Sequence, residues 1–311
     1  MADKLRFAVI GVGYLGRFHA LIYSRLPDVE LVGVVDTDPE RARAVAEEAG
    51  CAVFDSLEVI ADQVDAVSVV VPTTAHLAVA ELLLRRGIHM LLEKPIAATR
   101  EEGKRIVDLA DQGGAILQIG HLERFNAGVM ALAEHIDHPR FVEIQRMGEF
   151  VERATDVDVV SDLMIHDIDI ILSLMGSELQ SVSAVGTPVL TNRVDIANAR
   201  LEFANGAVAN VVASRVSDRK TRRIRVFQER KYLSLDFIEQ TIDIAYPHLA
   251  AGATRPEIVR ERIQVVPVKP LDREIEAFVA CVREHRRPLV DGLVGLEALD
   301  VALKVRDCMG H

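Results

Sequence analysis

The stretch "SDLMIHDIDIILSL", residues 161–174, places Asp162, His166 and Asp169 in an otherwise apolar segment. Wound as an α-helix, the three fall within roughly 60° of one another, with Ser173 between them. Ile, Leu and Met fill nearly all the remaining circumference, and a helix apolar over most of its girth is normally surrounded by protein. Its narrow polar stripe then faces water, polar partners or a ligand. The stripe holds no Lys, Arg or Glu, the usual residues of a solvated face. Asp162 and His166 are one turn apart, so their side chains can meet. A carboxylate bonded to one ring nitrogen fixes the tautomer and raises the basicity of the other. Such an imidazole is suited to taking a proton from a hydroxyl. Asp169 and Ser173 lie further along and would support or hydrate the pair. Asp167 points into the apolar arc, where a buried structural hydrogen bond is expected.

A second group of residues is suited to binding. "VIGVGYLG" sets Gly11, Gly13 and Gly16 in GxGxxG spacing, with Tyr14 and Leu15 between, after an apolar run and at the mouth of a helix. The first glycine permits a tight turn, the second lets backbone approach a pyrophosphate, and the third lets helix and strand pack closely. Amides at the helix N-terminus meet the phosphates. Asp36 ends the next apolar run and would accept both ribose hydroxyls of an adenosine while repelling a 2′-phosphate. NAD is therefore favoured over NADP, although Arg41 and Arg43 are close enough in sequence to reach back. The loop lacks the Gly-Lys-Ser/Thr of a nucleoside-triphosphate loop. Thr73, Thr74 and His76, in "VVVPTTAH", and Glu93, in "HMLLEKP", stand at later strand tips bordering the same crevice. Thr74 serves equally well as the N-cap of the helix that follows. Lys94, held out of helical geometry by Pro95, aims an ammonium into the crevice.

The elements needed to hold these groups are visible in the rhythm of the chain. Up to about residue 120, short β-branched runs alternate with Ala-, Leu-, Arg- and Glu-rich stretches. That is the pattern of a parallel sheet covered by helices. Beyond "GHLERFN" a helix near 127–137 leads to a strand at "RFVEIQRMGEF", the helix quoted above, and then several strands without intervening helices. "FANGAVAN" signals a hairpin. The second half thus reads as an α+β domain with an open-faced, mainly antiparallel sheet, closed by helices at about 271–286 and 292–308. Residues 239–270 carry no clear pattern. The expected division is 1–120 for cofactor binding and 121–311 for substrate and oligomerisation, with the C-terminal helices able to pack back on the first domain.

Bulk properties narrow the classes further. The 311 residues include 36 basic and 47 acidic side chains, a net charge of −11, which disfavours sequence-independent nucleic-acid binding. No apolar run reaches the length of a membrane span, and no signal peptide is evident. Cys51, Cys281 and Cys308 are odd in number and far apart, which suggests reduced thiols, a cytoplasmic setting and no metal site. A basic stretch, 214–231, holds eight Lys/Arg against two acids. It reads as a solvated strand face or subunit contact rather than a phosphate receiver.

Taken in order, Gly11-x-Gly13-x-x-Gly16, Asp36, Glu93-Lys94-Pro95 and Asp162-x-x-x-His166 resemble the Gfo/Idh/MocA oxidoreductase family along essentially the whole chain. The resemblance implies a Rossmann domain joined to an open-faced sheet, NAD as cofactor, and Lys94, His166 and Asp162 as catalytic residues. Lys94 would stabilise the alkoxide or ketone oxygen. "GHLERFN", with "DVDVVSDLMIHDID", is similar to the branch oxidising the 3-hydroxyl of UDP-N-acetylglucosamine or its uronic acid. Arg124 and Asn126 are then the substrate-binding candidates, with an interdomain salt bridge the competing role for Arg124. Ala127 stands where relatives commonly carry proline. A homodimer or homotetramer is expected by analogy. Free polyols, inositols or monosaccharides are the alternative substrates. A dinucleotide-binding regulator without catalysis is the alternative of another class.

Overall fold

The computed structural model describes residues 4–151, 157–251 and 254–310. Asp156, the first residue of the second string above, lies outside them. The chain divides into two compact units, one comprising residues up to Leu122 with Leu271–Leu299, the other Glu123–Pro270 with the C-terminal residues from Asp300.

The first unit contains β1 (Leu5–Ile10), α1 (Tyr14–Tyr23), β2 (Val29–Val35), α2 (Pro39–Ala49), β3 (Ala52–Val53) and α3 (Leu57–Ala61). There follow β4 (Ala66–Val69), α4 (His76–Leu84), β5 (His89–Glu93), α5 (Arg100–Gly113) and β6 (Leu117–Gly120). All strands are parallel, in the order β3-β2-β1-β4-β5-β6. The order reverses between β1 and β4, and ligands of such sheets bind beyond the carboxyl ends of the strands at that point. The strands are mainly apolar because both faces are covered. Phe7 stacks on Tyr23 of α1 at 4.7 Å and meets Phe278 edge-on at 5.9 Å.

Phe278 lies on a late helix, so the sequence division at residue 120 differs from the structural one for 271–299. The physical reason is the apolar face Ile275, Phe278, Val279 and Val282, which joins the cluster around Phe7.

In the second unit, α6 (Ala127–Ala133), β7 (Phe141–Met147) and α7 (Ile165–Met175) precede a run of seven strands. These are β8 (Leu179–Thr187), β9 (Ile196–Phe203), β10 (Val208–Ser214), β11 (Thr221–Gln228), β12 (Lys231–Asp236), β13 (Thr241–His248) and β14 (Glu257–Gln264). Helices α8 (Pro270–Glu284) and α9 (Gly292–Met309) end the chain. The sheet runs β14-β13-β12-β11-β7-β10-β9-β8, antiparallel except for β7 beside β10. The region 239–270, patternless in sequence, supplies β13 and β14, paired with each other over Thr241–His248 and Glu257–Gln264. β14 keeps most of its side chains exposed and so shows no apolar alternation.

Helix α7 packs against β7 and β10. β7 alternates strictly, burying Val142, Ile144 and Arg146. A guanidinium on the buried face must be paired. Its Nε donates to both oxygens of Asp167 on α7 at 3.0 Å, its Nη2 to Oδ1 at 2.7 Å, and its Nη1 to Glu123 Oε1 at 2.8 Å. Burial alone would lower the Arg146 pKa, but the two carboxylates overcome this and hold it above its ordinary value. Replacing Arg146 by Met strands two buried carboxylates and should cost about 3–5 kcal/mol. Removing all three charges together (Glu123→Gln, Arg146→Met, Asp167→Leu) should recover much of that loss. Urea unfolding midpoints decide: an unshifted midpoint in the single variant contradicts the assignment.

Candidate active site

In the first unit the glycine loop is built by close backbone approach. Gly11 has φ +83°, and a Cβ there would lie 2.4 Å from the Val70 carbonyl oxygen. A Cβ on Gly16 would lie 1.9 Å from the Gly11 oxygen, so α1 is packed directly on the loop. Gly13 differs: its nearest neighbour is the Arg41 guanidinium at 4.0 Å, which leaves room over the peptide. No side chain caps α1 at Gly13, as befits a helix N-terminus that receives phosphates. Tyr14 is largely exposed and Leu15 half-buried.

Asp36 is tied into this loop. Its Oδ2 accepts from Val12 N at 2.7 Å and its Oδ1 from Asp38 N at 2.9 Å. Arg41 reaches back, as its position in sequence allows, but its guanidinium lies between two acids, 3.6 Å from Asp36 and 3.0 Å from Asp38. The residues present therefore fit an NAD dinucleotide: a cradle that a Cβ would fill, an open peptide at Gly13, and a carboxylate at the ribose end.

Thr73 and Thr74 lie in a 3-10 turn, Thr73–Ala75. Thr74 does not cap α4, whose N-cap is Ala75 with no side-chain bond. His76 is turned inward. Its Nε2 lies 3.1 Å from the Val71 carbonyl and its Nδ1 3.3 Å from that of Ile96. Burial lowers its pKa below the usual imidazole value, so the ring is neutral and one nitrogen donates at a time. His76 thus tethers the segment just past Lys94–Pro95, a cis bond, and its ring nitrogens are committed to the protein. Lys94 itself is half-buried. Glu93 is buried at the tip of β5, its carboxyl 3.0 Å from where a Cβ on Gly120 would stand. Its Oε1 faces His19 Nε2 at 3.5 Å.

In the second unit the helix bearing His166 begins irregularly. Val160–Met164 form a π-turn that carries Asp162, and α7 proper starts at Ile165. The ideal α-helical angles therefore hold from His166 onward but not back to Asp162, and such turns recur at functional sites. Asp158 opens the turn, its Oδ1 accepting from Val160 N and Ser161 N at 3.0 Å each. His166 is 9% exposed, against 2% for Asp167 and 1% for Asp169, so it is the least covered of the three. Asp167 makes the structural bond expected of it, to Arg146. Asp169 does more than hydrate the stripe, because it accepts from Arg124 Nη1 at 3.2 Å. Arg124 is thereby paired inside its own unit, in contrast to the interdomain salt bridge weighed above. Asn126 is also committed: its Oδ1 caps α6 through Gly128 N at 2.9 Å and accepts from Gln240, while its Nδ2 donates to Glu123.

Sequence reasoning passed over two groups. Arg146 was readable from alternation in "FVEIQRM", where it shares a face with Val142 and Ile144. His19 and Ser68 are polar residues on otherwise apolar, inward faces. Among the described residues, no cluster of His, Cys, Asp or Glu could hold a metal, and no helix is long and apolar enough to cross a membrane.

Comparison with known proteins agrees with the fold. Residues 5–121 match the oxidoreductase family with an NAD-binding Rossmann fold, GFO/IDH/MocA, and residues 129–234 match that family's C-terminal domain. The chain is 40% identical over 305 residues to the UDP-N-acetylglucosamine 3-dehydrogenase of Acidithiobacillus ferrooxidans, covering 97% of this chain and 96% of that one. A solved structure of that enzyme superposes with a TM-score of 0.92 at 38% identity, over 98% of each chain. The scyllo-inositol 2-dehydrogenase of Bacillus subtilis is 30% identical, covering 96% of this chain and 92% of its own. A levoglucosan dehydrogenase solved with NADH shares the fold at 18% identity, with a TM-score of 0.85 over 99% and 98% of the two chains. With the cofactor loop, the two-unit architecture and these full-length likenesses in agreement, the chain belongs to the GFO/IDH/MocA oxidoreductase family, and its first unit is the family's NAD-binding Rossmann fold.

Proposed function

We propose that this oxidoreductase oxidises the 3-hydroxyl of a UDP-N-acetylhexosamine, with NAD as the hydride acceptor. The observation that carries the reading is the 40% identity, across nearly the whole of both chains, to a UDP-N-acetylglucosamine 3-dehydrogenase. "GHLERFN" and the Asp162/His166 helix support it. His166 takes the hydroxyl proton as the carbinol hydrogen leaves with its electron pair, giving a ketone. Asp162 orients that imidazole and raises its basicity, and the Lys94 ammonium stabilises the oxygen as negative charge develops. NAD is held by Gly11, Gly13, Tyr14, Leu15 and Gly16 at the phosphates, by Asp36 at the adenosine ribose, and by Thr73, Thr74 and Glu93 beyond the switch point. The Arg124 guanidinium suits a diphosphate or carboxylate, and Asn126 shapes the turn that presents it. The protein works in the cytoplasm as a homodimer or homotetramer.

The second reading, a polyol or inositol dehydrogenase, is favoured only by the more distant inositol 2-dehydrogenases at 29–30% identity. A substrate panel separates the two. NAD+ is supplied with UDP-N-acetylglucosamine, its uronic acid, myo-inositol and scyllo-inositol, with a coupled aminotransferase drawing off the ketone. Nicotinamide reduction with the UDP-sugars is expected, and reduction with inositols alone would replace the reading.

His166→Ala and Lys94→Ala should each lower kcat by about 10²-fold or more, the scale of a lost general base or oxyanion donor, while NADH binding by fluorescence survives. Near-normal turnover in both would refute the assignment. Asp36→Ala should weaken NAD+ by roughly tenfold. Because it releases Arg41, it should also narrow the preference over NADP+. Unchanged affinity for both cofactors removes Asp36 from the site.

A further inference from the structure

Three buried polar side chains behind the glycine loop have no part in the mechanism above. Tyr23 and His19 lie on the inward face of α1, and Ser68 lies on β4; all three are fully buried. The Tyr23 hydroxyl is 2.8 Å from Ser68 Oγ, and Ser68 Oγ is 3.0 Å from His19 Nδ1. At the other side of the ring, His19 Nε2 faces Glu93 Oε1 at 3.5 Å, and neither atom makes a hydrogen bond of good geometry within the described residues. Both atoms are shut off from solvent, so the cost of leaving them apart is high.

For a neutral His19 imidazole, proton counting fixes the direction of the chain. Burial pushes the Tyr23 phenol above its usual pKa, so it keeps its proton. A neutral imidazole carries one N–H. If that proton were on Nδ1, the Nε2 lone pair would face a carboxylate oxygen across 3.5 Å, which is repulsive. The satisfied arrangement has Tyr23 O–H donating to Ser68, Ser68 O–H donating to His19 Nδ1, and His19 Nε2–H aimed at Glu93. Every donor then points toward the tip of β5.

We propose that His19 is a positioning residue, and that the Tyr23–Ser68–His19 chain holds the Glu93 carboxylate as an acceptor for donors on the nicotinamide half of the dinucleotide. Asp36, on the β1–β3 side of the switch point, takes the adenosine half, so the tip of β5 serves the other half. Glu93 has two oxygens and about four acceptor sites, and His19 faces only one of the oxygens. Hydroxyl and carboxamide donors of a nicotinamide nucleoside are the groups such a carboxylate receives. The inference rests on the NAD reading but not on the identity of the sugar.

The test uses apoprotein and NADH fluorescence, with no sugar present. In 15N-histidine spectra of the apoprotein, Nε2 of His19 should carry a proton and Nδ1 should not. His19→Asn, which puts its amide near Nδ1 and leaves Glu93 undirected, should raise the Kd for NADH roughly tenfold or more, the worth of a charge-assisted bond. His19→Gln restores an N–H near Nε2 and should bind within a few-fold of the parent. Glu93→Gln presents a donor where the ligand also donates, and should lose as much as His19→Asn. Combining those two should add nothing further. Tyr23→Phe, which removes one oxygen, should shift the tautomer signal without unfolding the protein. A proton on Nδ1, equal losses in the Asn and Gln variants, or additive losses with Glu93→Gln each overturn the proposal and leave NAD binding intact. Failure of the parent protein to bind NADH at all would instead remove the reading beneath it.

Discussion

A guanidinium on the buried face of a sheet can be tolerated only if carboxylates meet it there, and Arg146 is met by two. One of them, Asp167, is the residue next to His166 on α7. The other, Glu123, is the residue next to Arg124 and also receives Asn126. A single cation on β7 therefore fixes both the rotation of the helix that carries His166 and the turn that carries Arg124. Phe237 covers the guanidinium at 5.8 Å, and Arg222 approaches Glu123 at 3.9 Å, so the cluster is closed on several sides. A buried ion pair of this kind does little for net stability compared with an apolar core. What it supplies is register: α7 cannot rotate or slide without breaking three bonds to Asp167.

The two units solve their positioning problems by different physics. In the first, the groups that meet a cofactor are largely backbone, and the constraint is steric: Gly11 and Gly16 are fixed by how closely Val70 and the loop approach them. Side chains enter as tethers, Asp36 to Val12, His76 to Val71 and Ile96, and His19 toward Glu93. In the second, the candidate groups are side chains and the constraint is charge. Arg124 is held by Asp169 and Arg146 by Asp167, so alternate acids on α7 serve two different arginines. His166 precedes both anchors in sequence, on a helix whose remaining surface is largely apolar.

Much of this was legible in the sequence because it is local. The glycine spacing, Asp36 and the polar stripe of α7 each depend on a few neighbouring residues and one periodicity. Alternation in β7 also exposed Arg146, although recognising it required asking what a charge does on a buried face. Other features depend on tertiary partners and left no local trace. His76 stands at a strand tip like a ligand-binding residue, yet two carbonyls, one of them 20 positions away, take its ring. Asn126 looks like a substrate contact, but its amide is used by Gly128, Gln240 and Glu123. The π-turn at Val160–Met164 altered the geometry assumed for Asp162, since nothing in an Ile/Leu/Met helix marks where one extra residue per turn enters. β14 was missed because an exposed strand need not alternate.

The central claim is that one C–H hydrogen, the one on the carbon bearing the 3-hydroxyl of the sugar, moves as hydride to NAD. UDP-N-acetylglucosamine deuterated at that position tests it directly, with the nicotinamide product analysed by mass spectrometry. The account predicts one deuterium in the reduced cofactor and slower single-turnover reduction than with unlabelled sugar. Reduced cofactor free of deuterium, formed at the unlabelled rate, would contradict it.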